Sequence, residues 1–260
     1  MKRIARMALA LLLALLAGGA IAQPRPTTVS LLWVGNSFFY SNNSLHSHVE
    51  GLARAADPTS PARGVSVTIS GAALGWHDID SYFRADAIGE FRIAAGNEVV
   101  FDTAGPSFDA VVMMDCSQCP IHPQLASRFH ASVRRQSEVV RRHGARPVLF
   151  MSWAYADRPE MTASLDEQYT LAGNANDALV IPAGLAFARA IARRTDIGLY
   201  QTDRVHPSMR GTYLAACTAY AALLKRSPVG NPYIAGLDPS IAAFLQAVAW
   251  ETVQAYKPAP

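Results

Sequence analysis

The chain has 260 residues, 50% of them hydrophobic, which suits one sizeable α/β domain and is short for two. Its 23 Lys+Arg exceed its 20 Asp+Glu by three, but Lys2, Arg3 and Arg6 lie in residues 1–22, which hold no acid; the remainder balances at 20 against 20. Nothing in that balance suggests nucleic acid or an acidic surface as partner.

The first segment reads as a signal peptide over residues 1–22. A positive start is followed by an apolar run from Met7 to Ala17, too short to span a membrane, and by the small-x-small pattern Ala20-Ile21-Ala22. The expectation is export, to the periplasm or the medium, with no membrane anchor after cleavage and a single domain over 23–260. An oxidising compartment permits a disulfide among Cys116, Cys119 and Cys217, and the odd count leaves at least one thiol free or paired between chains.

Gln23 to Thr27 reads as an exposed leader and Thr28 to Val34 as a buried strand, stopping at Gly35-Asn36-Ser37. Ser44 is placed as the N-cap of a helix running to about Ala56, with Leu45, Val49 and Leu52 on one face. Val65 to Ile69 alternates and is read as the second strand, followed directly by Gly71. Trp76 to Phe91 looks helical in parts, and Asn97 to Thr103 reads as an extra strand or hairpin. Asp109–Met114, Arg146–Met151 and Ala178–Ile181 complete the strands. Helices are expected over 123–143, 160–171, 185–194, 211–225 and 240–256. Alternating strands and helices imply βαβ units, hence a three-layer α/β/α sandwich with a parallel sheet.

In such sheets ligands gather at the carboxyl ends of the strands, where Ser37 falls. A serine hydroxyl is a poor nucleophile without a base, and the base needs an orienting partner. His206 can be that base, and Asp203, three residues earlier, its partner. The same residues also suit a turn serine, a capping carboxylate and a surface histidine.

Gly35-Asn36-Ser37-Phe38 together with Asp203-x-x-His206 resembles the SGNH (GDSL-like) hydrolases, in the branch whose first block reads G-N-S-F. Segments between agree in order: Ser70-Gly71-Ala72, Val111-Val112-Met113, 147–155 and His206-Pro207-Ser208. The resemblance implies a flavodoxin-like fold and ester hydrolysis with Ser37 as nucleophile, His206 as base and Asp203 as orienter. It implies an oxyanion hole from the N–H groups of Ser37 and Gly71 and a side-chain amide after the third strand. Two departures stand out. Asn36 replaces the common aspartate, and the usual asparagine of the third block falls on Gln118, without its usual glycine. No metal or organic cofactor is implied. The substrate expected is a small-molecule or glycan ester. A polysaccharide deacetylase and a non-catalytic glycan-binding relative share the pattern.

Cys116-Ser117-Gln118-Cys119 between a strand and a helix also suits a thiol oxidoreductase, but that reading leaves Ser37, Asp203 and His206 without a task. Zinc on Cys116, Cys119 and His122 lacks a fourth ligand, and Pro120 stands where a c-type haem needs histidine. Trp76, Trp153 and Tyr155 follow strand ends, where aromatics stack on sugar rings or pack inside. Trp153 and Tyr155 are taken as substrate-binding candidates. His46, His48 and His77 are read as solvent-facing or as lying behind the site.

Overall fold

The computed structural model describes residues 29–59, 61–85, 87–88, 91–101 and 107–257. The expected signal peptide and leader lie outside the described residues. Five strands form one parallel sheet: β1 (Val29–Gly35), β2 (Ala62–Thr68), β5 (Ala110–Met113), β6 (Arg146–Phe150) and β7 (Leu179–Ile181), in the order β2-β1-β5-β6-β7. The helices are α1 (Ser37–Tyr40), α2 (Leu45–Ala56), α3 (Ala126–Arg142), α4 (Met161–Ala175), α5 (Ala183–Arg193), α6 (Met209–Leu224) and α7 (Pro239–Ala255).

Alternation along β1 divides the core. Leu31 and Trp33 face a layer built from α2, α5, α6 and α7, whereas Leu32 and Val34 face α3 and α4. Both faces are covered, which is why these strands are apolar runs rather than half-polar ones. The sheet grows from β1 to β2 on one side and then restarts at β5 on the other. This reversal leaves a crevice between the carboxyl ends of β1 and β5.

Several local details differ from or add to the sequence expectations, and the extra strand or hairpin expected over Asn97 to Thr103 is present as the second strand of a hairpin. The one-turn helix α1 follows β1 directly, with Asn36 as its cap. Ser44 precedes α2 but makes no capping bond; its φ is 66°, and its hydroxyl meets His46 Nδ1 at 2.7 Å. The second strand starts at Ala62 and ends at Thr68, paired with β1 along its full length. The segment after it folds as two 3₁₀ turns, Leu74–Trp76 and Ile79–Phe83, then an antiparallel hairpin of β3 (Phe91–Ile93) and β4 (Val99–Phe101).

Candidate active site

Ser37 enters as the first residue of α1. Asn36, buried beneath it, performs two tasks: its Oδ1 accepts the Phe38 N–H at 3.2 Å, capping α1, and its Nδ2 donates to the carbonyls of Ala72 (3.0 Å) and Asp115 (3.2 Å). One amide thereby ties the end of β1 to the loops after β2 and β5. An aspartate could cap the helix but could not donate to two carbonyls when ionised.

The other half of the site is a tight turn after α5. Tyr200 bridges Pro207, Gln201 N donates to the His206 carbonyl at 2.8 Å, and Arg204 takes a positive φ of 64°. Asp203 Oδ1 accepts the N–H groups of Val205 and His206, each at 2.9 Å, while its Oδ2 lies 2.6 Å from His206 Nδ1. The Val205 N–H first, and the His206 side chain next, hold the Asp203 carboxyl below the usual carboxylate range. An ionised Oδ2 needs a donor, so Nδ1 carries the proton and Nε2 is left with its lone pair. That nitrogen lies 2.8 Å from Ser37 Oγ. The structure therefore joins Ser37, His206 and Asp203 in one hydrogen-bonded chain across a sequence gap of 169 residues.

Asn42 fastens the two halves together. From the turn after α1 its Nδ2 donates to the Pro207 carbonyl and to Thr212 Oγ1, both at 2.8 Å, and its own carbonyl meets buried His48 Nε2 at 2.7 Å.

No protein-family model and no curated protein matches this sequence. Solved structures do. A DUF4886 family protein from Bacteroides uniformis aligns over 88% of this chain and 95% of its own, with a TM-score of 0.61 at 21% identity. A proposed SGNH hydrolase from Slackia heliotrinireducens aligns over 76% of this chain and 100% of its own, with a TM-score of 0.56 at 24% identity. The chain has the SGNH-hydrolase fold. A third similar structure is an acetylxylan esterase from Geobacillus stearothermophilus, with a TM-score of 0.53 at 15% identity over 78% of this chain and 95% of its own. Catalytic mutants of that esterase are changed at a serine, an aspartate and a histidine three residues after the aspartate.

Within the SGNH fold the remaining sequence candidates separate. Gly71 is exposed, has a positive φ of 67° and sits at the carboxyl edge beside Ala72, which Asn36 holds. Among the described residues, neither its N–H nor that of Ser37 has a hydrogen-bond partner. Gln118 is half-buried in the turn after β5; its carbonyl accepts from Ile121 and His122, and its side-chain amide makes no hydrogen bond to a described residue. Ser117 is occupied by Tyr155, hydroxyl to hydroxyl at 2.7 Å.

Trp153 is not an open stacking platform. It is fully buried between Phe38 (4.5 Å, 10°) and Phe187 (4.3 Å, 6°), and its Nε1 donates to the Val205 carbonyl at 3.1 Å. Its ring supports both α1 and the histidine turn from behind. Tyr155 is half-buried. Cys116 and Cys119 form a disulfide, which consumes both thiolates that a zinc ion would need. His48 and His77 are buried rather than solvent-facing. His77 Nε2 meets the Gly35 carbonyl at 3.1 Å, just behind the end of β1.

Sequence reasoning missed Asn42 and the bracing role of Asn36. The signal for Asn36 was its amide, read only as a departure from aspartate. The signal for Asn42 was slight: one of two adjacent asparagines in the polar turn 41–44.

Proposed function

We propose that this protein is a serine-dependent ester hydrolase that works through an acyl-enzyme. The observation that carries the reading is the hydrogen-bonded chain from Ser37 Oγ through His206 to Asp203 at the carboxyl edge of the sheet. Ser37 Oγ attacks the ester carbonyl as its proton passes to His206 Nε2. Asp203 Oδ2 holds the imidazole by Nδ1 and stabilises the imidazolium. The carbonyl oxygen takes up charge near the N–H groups of Ser37 and Gly71, with the Gln118 amide as a third donor. Collapse expels the alcohol, which takes the proton from His206. Water then attacks the acyl group, again giving its proton to His206, and the carboxylic acid leaves as Ser37 is reprotonated.

The esterase of the same fold, with catalytic positions at a serine, an aspartate and a histidine, supports the assignment. Glycan deacetylation is the same chemistry on a different alcohol. Hydrolysis of 4-nitrophenyl acetate tests the reading. Ser37→Ala and His206→Ala should each lower kcat about a thousandfold or more, and the double variant should lose little further, since the members act as a unit. A fluorophosphonate probe should label wild type and not Ser37→Ala. Turnover that survives Ser37→Ala unchanged would mean that the G-N-S-F block is only a turn.

A further inference from the structure

After β2 the chain turns through Gly71 into the 3₁₀ turn Leu74–Trp76, which lies against α3. Gly75 allows this approach, because a Cβ there would sit 2.9 Å from Ser132 Oγ. Between the turn and α3 runs a groove of about 640 Å³, a volume ordinary for a ligand site. It starts at Gly71 and the Cys116–Cys119 disulfide and follows one face of α3 past Arg128 to Arg135. Trp76 lines it with 66% of its surface open to solvent. A larger cavity of about 900 Å³, at the amino ends of β6 and β7, contains none of the candidate site residues.

The charge of the groove is one-sided. Arg128 and Arg135 stand seven residues apart, about two helical turns, and neither forms an ion pair among the described residues. The one carboxyl in the lining, Asp115, is buried; its Oδ1 accepts the N–H groups of Leu74 (3.1 Å) and Cys116 (2.6 Å). Burial pushes that carboxyl up from its ordinary value, and the two backbone N–H groups that it accepts already engage it. Asp78 and Asp80 share a separate small hollow with Arg135 and Trp76; neither makes an ion pair with Arg135 among the described residues, and Asp80 is taken by Arg142 and His143.

We propose that this groove binds the sugar portion of an ester of an acidic saccharide. A ring lies on Trp76, a carboxylate is held by Arg128 and Arg135, and the ester carbonyl reaches the N–H of Gly71. Sugar faces suit an open indole, and guanidinium groups suit carboxylates. The proposal rests on the ester-hydrolase reading above and adds the substrate class to it.

Two substrates differing in one group test it: a monoacetylated methyl glucuronoside and the matching methyl glucoside. Wild type should favour the acidic one in kcat/KM by about tenfold or more at low salt, and the preference should shrink as salt rises. In R128Q/R135Q the ratio should fall to about one, and R128E/R135E should invert it. W76A should raise KM for both sugars with kcat little changed. Equal rates in wild type, a preference that survives R128Q/R135Q, or an unchanged KM in W76A would overturn the assignment. The 4-nitrophenyl acetate assay separates the two levels. If Ser37→Ala retains that activity, the hydrolase reading falls and the groove assignment with it. If aryl acetate turnover needs Ser37 while both sugar esters react alike, only the groove assignment falls.

Discussion

At the scale of single residues, Asp203 is the most constrained group of the site. One oxygen builds the turn through two N–H groups, and the other holds the imidazole. In Asp203→Asn the amide oxygen can keep the turn, which leaves the amide nitrogen facing His206 Nδ1. The ring is then driven to the other tautomer, and Nε2 can no longer accept the Ser37 proton. A kcat loss on the order of a thousandfold is expected with the fold intact. Asp203→Ala loses the turn as well, and that loss depends on pH. A carboxyl depressed in the folded state contributes stability above its unfolded pKa of about 3.9 and loses it as pH falls through the folded value. Urea midpoints of wild type and Asp203→Ala should therefore differ at neutral pH and converge in acid. Asp203 and His206 were legible as a pair because their three-residue spacing is a local fact of sequence, and Ser37 because it stands in the short Gly35-Asn36-Ser37-Phe38 block. Trp153 was misread because its position after a strand is local, whereas its burial between Phe38 and Phe187 depends on α1 and α5 arriving from elsewhere.

At the scale of elements, the turn between β5 and α3 is the part where the expected third-block pattern is most altered. The disulfide closes it at a Cα–Cα distance of 5.2 Å, with Ser117 and Gln118 inside the loop. Ser117 is engaged by Tyr155, which leaves the Gln118 amide as the free donor of the loop. Gln118→Ala should lower kcat on the order of a hundredfold with KM little changed, because an oxyanion bond tightens in the transition state. Replacing both cysteines by serine should keep ester hydrolysis within about tenfold of wild type, since neither sulfur handles a proton or the developing charge. A cysteine-pair loss as large as that of Ser37→Ala would move the chemistry to the sulfurs. Strands β1, β5, β6 and β7 were legible as buried apolar runs, and the long helices by their repeating apolar faces. The one-turn α1 was not, because four residues carry no helical period and its existence depends on the Asn36 cap.

At the scale of the whole molecule, the chemistry sits on one edge of the sheet, and the least legible segment departs from the other. The chain leaves Phe83, stacked on His143 beside the end of α3, forms the β3–β4 hairpin, and returns to Asp109 at the start of β5. Phe91 and Phe101, and Ile93 and Val99, are cross-strand pairs, and all four are at least half exposed. These four alternate with the strand period yet lie exposed, so their hydrophobicity points to no tertiary partner. Replacing all four by serine or threonine should leave kcat/KM for aryl acetate within about twofold and shift stability little, as expected of solvent-facing side chains. A large loss of activity would show that the hairpin reaches the catalytic edge. The overall layering was predictable from strand–helix alternation. The sheet order came only with the resemblance, whose flavodoxin-like fold has the 2-1-3-4-5 order that these five strands take; strand–helix alternation alone does not encode it.

The stacking of Trp153 makes the protein a candidate for optical study without added dyes. Its indole rests on the residue after Ser37 and is tethered to the residue before His206. A change at Ser37 or in the imidazole turn therefore alters the surroundings of a chromophore shielded from aqueous quenchers. Trp76, open to water above the arginine-lined groove, is its opposite and answers to dissolved quenchers directly. In a variant with Trp33 and Trp250 changed to phenylalanine, emission from the shielded ring should follow the proposed acylation and emission from the open one the proposed occupancy of the groove, and stopped-flow traces with and without a dissolved quencher would separate the two.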